Sequence, residues 1–318
     1  MDALKFDHSK INRIFIAVSG GLDSVALLHW LASPLRLSLV RGRGPTLIVL
    51  HVNHHLQANS NEWEDFVQTL VAKYTLPLII HQVDTKPAPA ESIEAFARRE
   101  RYAFFESCLE EGDALLLAHH QNDEVETFFL NLSRGAGLNG LSSMPERRPL
   151  GKGILIRPLL EYSRADLLAY AQKENLIWKE DPSNQDLRYD RNALRHDILP
   201  RISERWPDFN ARVADTIRHL KTAREAMDFF IANALEDLCH SREGGNLGWK
   251  PLLTYPIALQ KLLLQAWIKR ESHLVLSEAH LDRIVQDFLH SGRDKDPLFT
   301  LKGWRLTRSQ DCIQCLPF

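Results

Sequence analysis

No stretch of this chain approaches the roughly 20 consecutive apolar residues of a membrane-crossing helix, so no membrane contact is expected. Cysteine is scarce. Cys108, Cys239, Cys312 and Cys315 are too few for a disulfide framework in 318 residues, and a reducing, cytoplasmic setting is expected. The first residues, Met1-Asp2-Ala3-Leu4-Lys5, lack the apolar centre of a secretion signal, so none is expected. An excess of positive charge is also missing. With 39 Lys and Arg against 41 Asp and Glu the formal net charge is −2, so any surface for nucleic acid must come from a local patch. Internal repeats and low-complexity tracts are absent. What remains, at 44% hydrophobic and 25% charged residues, is ordinary globular composition with length enough for two domains.

What is present begins after the first apolar run. Ile14-Phe15-Ile16-Ala17-Val18 predicts a buried strand and Val25 to Leu31 a helix. Between them lies Ser19-Gly20-Gly21-Leu22-Asp23-Ser24, so the glycines occupy a strand-to-helix turn. The unpaired N–H groups of such a turn form a nest for phosphate or pyrophosphate, and the helix dipole adds to the attraction. No lysine follows the glycines, which separates this loop from Gly-x-x-x-x-Gly-Lys-Ser/Thr. An Asp in the first turn instead puts a carboxylate beside the phosphate site, which makes sense with a cation between them. Asp23 is therefore the candidate Mg²⁺ ligand. The plainer alternative is a Ser/Gly turn with Asp23 and Ser24 as helix caps.

Four further strands are predicted, at Thr46 to Val52, Pro77 to Val83, Ala114 to Ala118 and Ile154 to Ile156. Helical patterns at Asn61 to Tyr74, Glu91 to Leu109 and Asn122 to Ser133 separate most of them. Strand–helix alternation with apolar strands predicts an α/β fold, a doubly wound, mostly parallel sheet whose ligands sit at the carboxyl ends of the strands. His51 to His55 and His119-His120 end two strands and should line the same crevice. From Asp208 the pattern changes. Val213, Ile217, Leu220, Ala223, Met227, Phe230, Ile231 and Leu235 predict one long amphipathic helix. A polar loop at 241–246, helices near Leu259 to Ile268 and Ser277 to Leu289, and a hairpin turning at Lys302-Gly303 follow. We divide the chain into a domain over 1–210 and, over 211–318, a connecting helix with a small α+β domain.

Several stretches carry potential chemistry. After Ala118-His119-His120, Val125, Phe128, Phe129 and Leu132 form one buried stripe, and Asp123 and Glu126 share another face. Two carboxylates at a strand-end crevice suit an ammonium group or a metal, although acids in a first helical turn also complement the dipole. Arg134-Gly135-Ala136-Gly137-Leu138-Asn139-Gly140 contains Gly-x-Gly-x-x-Gly, but it follows a helix, so a dinucleotide site is rejected in favour of a flexible, close-approach loop. Arg98 and Arg101 share a helical face and suit phosphate or carboxylate, although a solvated helix face is the commoner reading. Asp181-Pro182-Ser183-Asn184 precedes a basic segment. From Leu187 to Arg224 there are nine Lys/Arg and five Asp/Glu, which suggests a phosphate-facing patch or a helix with mixed surface charge. The histidines lack metal-ligand spacing, and Cys312-x-x-Cys315 has no second cysteine pair.

Ser-Gly-Gly-x-Asp-Ser at the end of the first strand resembles the PP-loop of the N-type ATP pyrophosphatases. Taken with His51-Val52-Asn53-His54, Ala97-Arg98 to Tyr102, Ala118-His119-His120 to Thr127, Arg134-Gly135 to Met144, Arg157-Pro158-Leu159, Asp181 to Asn184 and Arg191-Asn192, it resembles the tRNA(Ile)-lysidine synthetase family, densely over residues 12–200. Many members have two aspartates and a Gln where this chain has Asn122, Asp123 and Glu124, and longer members carry two C-terminal domains where one is expected here. The resemblance implies a PP-loop ATPase-type sheet and a ligase with ATP and Mg²⁺. ATP adenylates the wobble cytidine of tRNA(Ile) with a CAU anticodon, and lysine then displaces AMP to give lysidine. It further implies that Ser19, Gly20, Gly21, Leu22, Asp23 and Ser24, with His51, Val52 and His119, hold ATP. Asp123 and Glu126 would take the lysine ammonium, and Arg98 or Arg101 the α-phosphate or the lysine carboxylate. The basic stretch from Arg188 to Arg224 and the second domain would grip tRNA. A homodimer stays open. A tRNA 2-thiolase shares the loop and is the alternative, but it would need paired cysteines, for which only Cys312 and Cys315 are candidates. An amidotransferase-type ligase would need a glutaminase domain, and a plain tRNA-binding module would have no use for the nucleotide loop.

Overall fold

The computed structural model describes residues 11–32, 45–56, 60–89, 91–142, 144–181, 186–239, 246–291, 297–301, 303–309 and 311–317. Met1 to Lys5, Pro182-Ser183-Asn184, most of the loop at 241–246 and Lys302 of the expected hairpin turn lie outside the described residues. The chain divides into two compact units, Met1–Leu220 and Lys221–Phe318.

In the first unit six strands form one sheet: β1 Arg13–Ala17, β2 Thr46–Asn53, β3 Leu78–Gln82, β4 Ala114–Leu116, β5 Arg147–Leu150 and β6 Gly153–Ile156. Their order is β3-β2-β1-β4-β6-β5, every pairing parallel except β5 with β6. The predicted parallel sheet is therefore present. Alternation along β1 sends Ile14 and Ile16 into one apolar cluster and Phe15 into another, so both faces are covered. Helices Leu22–Ala32, Ser60–Ala72 and Arg164–Lys173 supply Leu27, Leu28, Val67 and Leu167 to the first cluster. Helix Ile93–Cys108 supplies Phe105 to the second. β1 has β2 on one side and β4 on the other, so the winding reverses beside β1. A crevice opens at such a reversal, beyond the strands' carboxyl ends.

Helix Gln121–Ser133 departs from the expected stripe. Val125 is fully buried, but Leu132 is 48% exposed, while Asp123, Glu124 and Glu126 are buried. Phe128 and Phe129 pack with Leu199, Val213 and Ile217, the last two on the start of the long helix Phe209–Cys239. Phe230 also departs from its stripe, at 44% exposed, while Ile231 and Leu235 are buried. In the Gly135 loop a Cβ at Gly135 or Gly137 would meet nothing within 4 Å, but one at Gly140 would stand 2.6 Å from Ala136 Cβ, so the close approach expected of this loop is made at Gly140.

The second unit holds an antiparallel sheet in the order β7-β10-β9-β8, from β7 Leu247–Gly248, β8 Leu298–Leu301, β9 Trp304–Arg308 and β10 Cys312–Pro317. Helix Ile257–Ser272 and the helical segment 278–289 share its core through Trp267, Ile284, Phe288, Leu306 and Ile313. Arg308 is only 3% exposed. Its guanidinium donates to the carbonyls of Phe288, Leu289 and Ser291, which end that helical segment. No helix among the described residues is long and apolar enough to cross a membrane.

Candidate active site

The Ser19–Ser24 loop leaves β1 at the winding reversal and is held by its own side chains. Ser24 Oγ accepts the Ser19 N–H at 3.2 Å and donates to the Gly21 carbonyl at 3.0 Å, and Val25 N–H closes the first helical turn on that carbonyl. The Gly20 carbonyl accepts from Lys179 N–H at 3.0 Å. Gly20 has φ +89°, and a Cβ there would stand 2.7 Å from Trp63 Nε1, so both conformation and space require glycine. Gly21 is different. A Cβ there would make only ordinary contact, with Ser19 Oγ 3.6 Å away, so its bareness serves the space in front of it. The Leu22 side chain is buried in the core, and only its backbone can meet a ligand.

That space is a cavity of about 490 Å³, within the usual size range of small-molecule sites. Ser19, Gly21, Asp23 and Ser24 line one end. His51, Val52, Asn53 and His54 line the β2 side, and Arg101, His119, Asp123 and Asp181 lie across from them. His55 is exposed and bonded to Gln82, so it does not share this lining. His51 is buried with Nδ1 2.8 Å from the Val18 carbonyl, which fixes the proton on Nδ1. Burial keeps this imidazole neutral by lowering its pKa, so Nε2 is an acceptor. Burial, with Arg101 adding to it, drives His54 to about 4. His119 falls to about 3, chiefly through burial. Asp123 opposes that fall, while Arg157, whose Nε donates to His119 Nδ1 at 3.2 Å, adds to it.

His120 joins the two ends of the site. It is the N-cap of helix Gln121–Ser133, its Nδ1 accepting Asp123 N–H while Asp123 Oδ2 accepts His120 N–H. Its Nε2 lies 3.6 Å from Asp23 Oδ2 and 3.5 Å from Asp123 Oδ2. Burial opposes a charge on this ring, but Asp23 and Asp123 prevail and raise its pKa. Asp23 Oδ1 is buried without a hydrogen-bond partner. Such an oxygen fits a hard cation. Among the described residues no group of three or more His, Cys, Asp or Glu is placed to hold a metal.

Asp123 and Glu126 do converge, but they are already engaged. Arg191 donates to Glu126 Oε2 at 2.7 Å and Asp123 Oδ1 at 2.8 Å. Arg195 donates to both Glu126 oxygens at 2.7 and 2.9 Å and to Asp123 Oδ1 at 3.2 Å. Burial alone would raise the Asp123 pKa, and His120 and Arg191 hold it below the usual range. These arginines belong to the segment read as a phosphate-facing patch or a helix of mixed surface charge, and the pairing seen favours the second. They turn inward, and most of their neighbours pair locally: Arg188 with Asp186, Arg201 with Asp197, Arg212 with Asp208 and Arg218 with Asp215. The i,i+4 spacing of Arg191 and Arg195, matched to the i,i+3 spacing of the acids, was the available signal. Arg98 and Arg101 also diverge. Arg101 lines the cavity, whereas Arg98 turns onto the ring of Tyr102 and does not. Asn122 accepts Arg164 N–H at 2.9 Å, tying this helix to the start of the next.

Comparison with known proteins fits this geometry. A PP-loop domain family matches residues 2–202, and a TilS substrate binding domain family matches residues 247–314. The chain is 41% identical to tRNA(Ile)-lysidine synthase of Pseudomonas aeruginosa over 313 residues, 95% of this chain and 68% of that one. The chain belongs to the tRNA(Ile)-lysidine synthase family. Its relative in Coxiella burnetii is 39% identical over 285 residues, 90% of this chain and 62% of that one. The chain thus spans about two thirds of the length of these lysidine synthase relatives. Among solved structures, a U34-tRNA thiolase from Methanococcus maripaludis superposes with a TM-score of 0.54 at 16% identity, over 69% of this chain and 75% of that one. That likeness is one of fold. The thiolase alternative is not favoured, since the synthase relatives cover nearly the whole chain. Cys312 and Cys315 lie on β10 in the second unit, free and far in sequence from the loop.

Proposed function

We propose that the chain ligates lysine to C2 of the wobble cytidine of tRNA(Ile) bearing a CAU anticodon, with ATP cleaved to AMP and pyrophosphate. The cytidine C2 oxygen attacks the α-phosphorus of ATP and pyrophosphate leaves. A lysine amine then attacks C2, and AMP departs with the oxygen. The single observation that carries the reading is one cavity lined by the Ser19–Ser24 loop and by Asp123, with buried His120 bridging Asp23 and Asp123 behind it and Glu126 joined to Asp123 through Arg191.

The residues divide the work. The Ser19–Ser24 backbone receives the leaving pyrophosphate, and Gly21 keeps its approach open. His51 Nε2 and Val52, at the end of β2, take the adenine, with His119 beside them. Arg101 steadies the α-phosphate. Asp23, through its unpartnered Oδ1, would hold Mg²⁺, and the ion supplies charge compensation for the pyrophosphate. Asp123 and Glu126 bind the lysine ammonium and take its proton. Two guanidiniums already stand in that seat in place of the substrate cation, which supports its preference for cationic nitrogen donors. Lysine enters by exchange with one of them.

The test is AMP release by the purified chain. It should require tRNA and lysine together, and Asp23→Asn should abolish it with circular dichroism unchanged. AMP release without tRNA would sink the reading.

A further inference from the structure

Tyr102 stands at the centre of an unusual group. Arg98 and Arg148 lie over its ring, with Cζ atoms 4.7 and 5.3 Å from the centroid. Its hydroxyl oxygen is buried beside the Arg148 and Arg157 guanidiniums, with no hydrogen bond of good geometry. Arg157, 4% exposed, is fixed by bonds from Nε to His119 Nδ1 and from Nη1 to the Pro145 carbonyl at 2.6 Å. Arg148 Nη1 donates to the Pro149 carbonyl at 3.1 Å. Among the described residues none of these three guanidiniums pairs with a carboxylate. Burial opposes ionisation of the phenol, yet the surrounding arginines prevail and lower the Tyr102 pKa, the field expected of an anion site.

The fold brings these residues together on purpose-built edges. Arg98 and Tyr102 come from helix Ile93–Cys108, Arg148 from the antiparallel edge strand β5, and Arg157 from the turn leaving β6. Arg157 touches His119, which lines the nucleotide cavity, whereas Arg98, Arg148 and Arg157 do not line it themselves. The cationic group is therefore next to the reacting space and outside it.

We infer that Arg98, Arg148 and Arg157, grouped around Tyr102, form a binding site for a backbone phosphate of the RNA whose base enters the cavity. This assignment rests on the proposed tRNA reaction. A base that reaches into a pocket leaves its own phosphodiester at the rim, and fixed, unpaired guanidiniums there set the strand's register without reading its sequence.

The test uses the full chain and an anticodon stem-loop RNA ending in a CAU loop, with affinity measured at several salt concentrations. Arg148→Ala should weaken RNA binding about tenfold and reduce the slope of log affinity against log salt by about one, while ATP affinity stays as it was. Arg148→Lys should restore the slope, because the charge returns. Arg98→Ala, on the other side of the ring, should repeat the Ala result and guards against a local folding defect in β5. Unchanged affinity and slope in both Ala variants would overturn the inference. So would unchanged RNA binding with a raised KM for lysine, which would give the site to the lysine carboxylate. A chain that binds no RNA before any substitution would overturn the functional reading itself.

Discussion

Between Arg188 and Arg224 lie eight arginines, and all but Arg205 have a carboxylate at ion-pair distance. Around Tyr102 there are four, counting Arg101, and among the described residues none has one. The first region is rich in positive charge and offers little of it. The second is smaller and leaves its charge without a carboxylate partner. What attracts a phosphate is charge left uncompensated after folding, and a count along the chain does not measure that. In the first region Arg191 and Arg195 serve a buried acid pair, and the rest, Arg205 apart, make local pairs worth little individually.

The largest way to break this contrast is to strip the paired region of its acids. Glu126→Ala leaves Arg191 and Arg195 partly buried without their main partner. The cost should be about 3–5 kcal/mol, read as a lowered urea midpoint. A midpoint like that of the unaltered chain would mean that the pairs contribute nothing and that both regions are alike.

Asp123→Asn is milder and separates the chemical steps. Pyrophosphate labelled in its phosphorus should still exchange into ATP in the presence of tRNA. Lysine incorporation should fail, with a loss of about 2–5 kcal/mol in lysine binding. Equal loss of both steps would show that the acid pair acts before lysine arrives.

Acid should act on the unpaired region before the paired one. His54 and His119 border that group with folded-state pKa values of about 4 and 3, both below a free imidazole. As pH falls from about 6.5 the unfolded chain takes up protons first, so stability that is complete above that pH is lost toward pH 4. His54 is partly solvated, so the loss should be on the order of 2 kcal/mol rather than the full sum of both shifts. Thermal melts between pH 7 and 5 with a constant midpoint would contradict this.

The smallest expected effect sharpens the contrast most. Replacing Arg201, Arg212 and Arg218 by Ala should alter stability by about 0.5 kcal/mol or less apiece. Even together they should change the salt slope of RNA binding less than Arg148→Ala alone. A larger change would return the RNA contact to the Arg188–Arg224 segment.

Most of the sheet was legible because its parallel strands are apolar on both faces, and the nucleotide loop because a strand-to-helix turn rich in glycine has few other uses. β5 was not. Arg147-Arg148-Pro149-Leu150 has no alternation, and it is tolerated as a strand only because Pro149 sits on the sheet edge. Helix Arg164–Lys173 was overlooked although Ser163 and Asp166 form a capping box, a signal present in the residues. Leu132 and Phe230 follow the helical period yet face outward, because the period fixes a direction and not what lies there. The ion pairs among Asp123, Glu126, Arg191 and Arg195 join residues more than sixty apart, and the i,i+3 and i,i+4 spacings mark two matching faces without saying that they meet.

The cap at His120 has a consequence for where one hydrogen resides. Because Nδ1 accepts the Asp123 N–H, the neutral ring must be the Nε2–H tautomer, and that hydrogen faces Asp23 on one side and Asp123 on the other. A second proton would have to go on Nδ1, where it would remove the acceptor that begins the helix. Nitrogen chemical shifts of His120 would therefore report on both half-reactions at once. Drawing Asp23 toward a cation, or Asp123 toward an ammonium, shifts the same N–H bond, and the helix start feels either event.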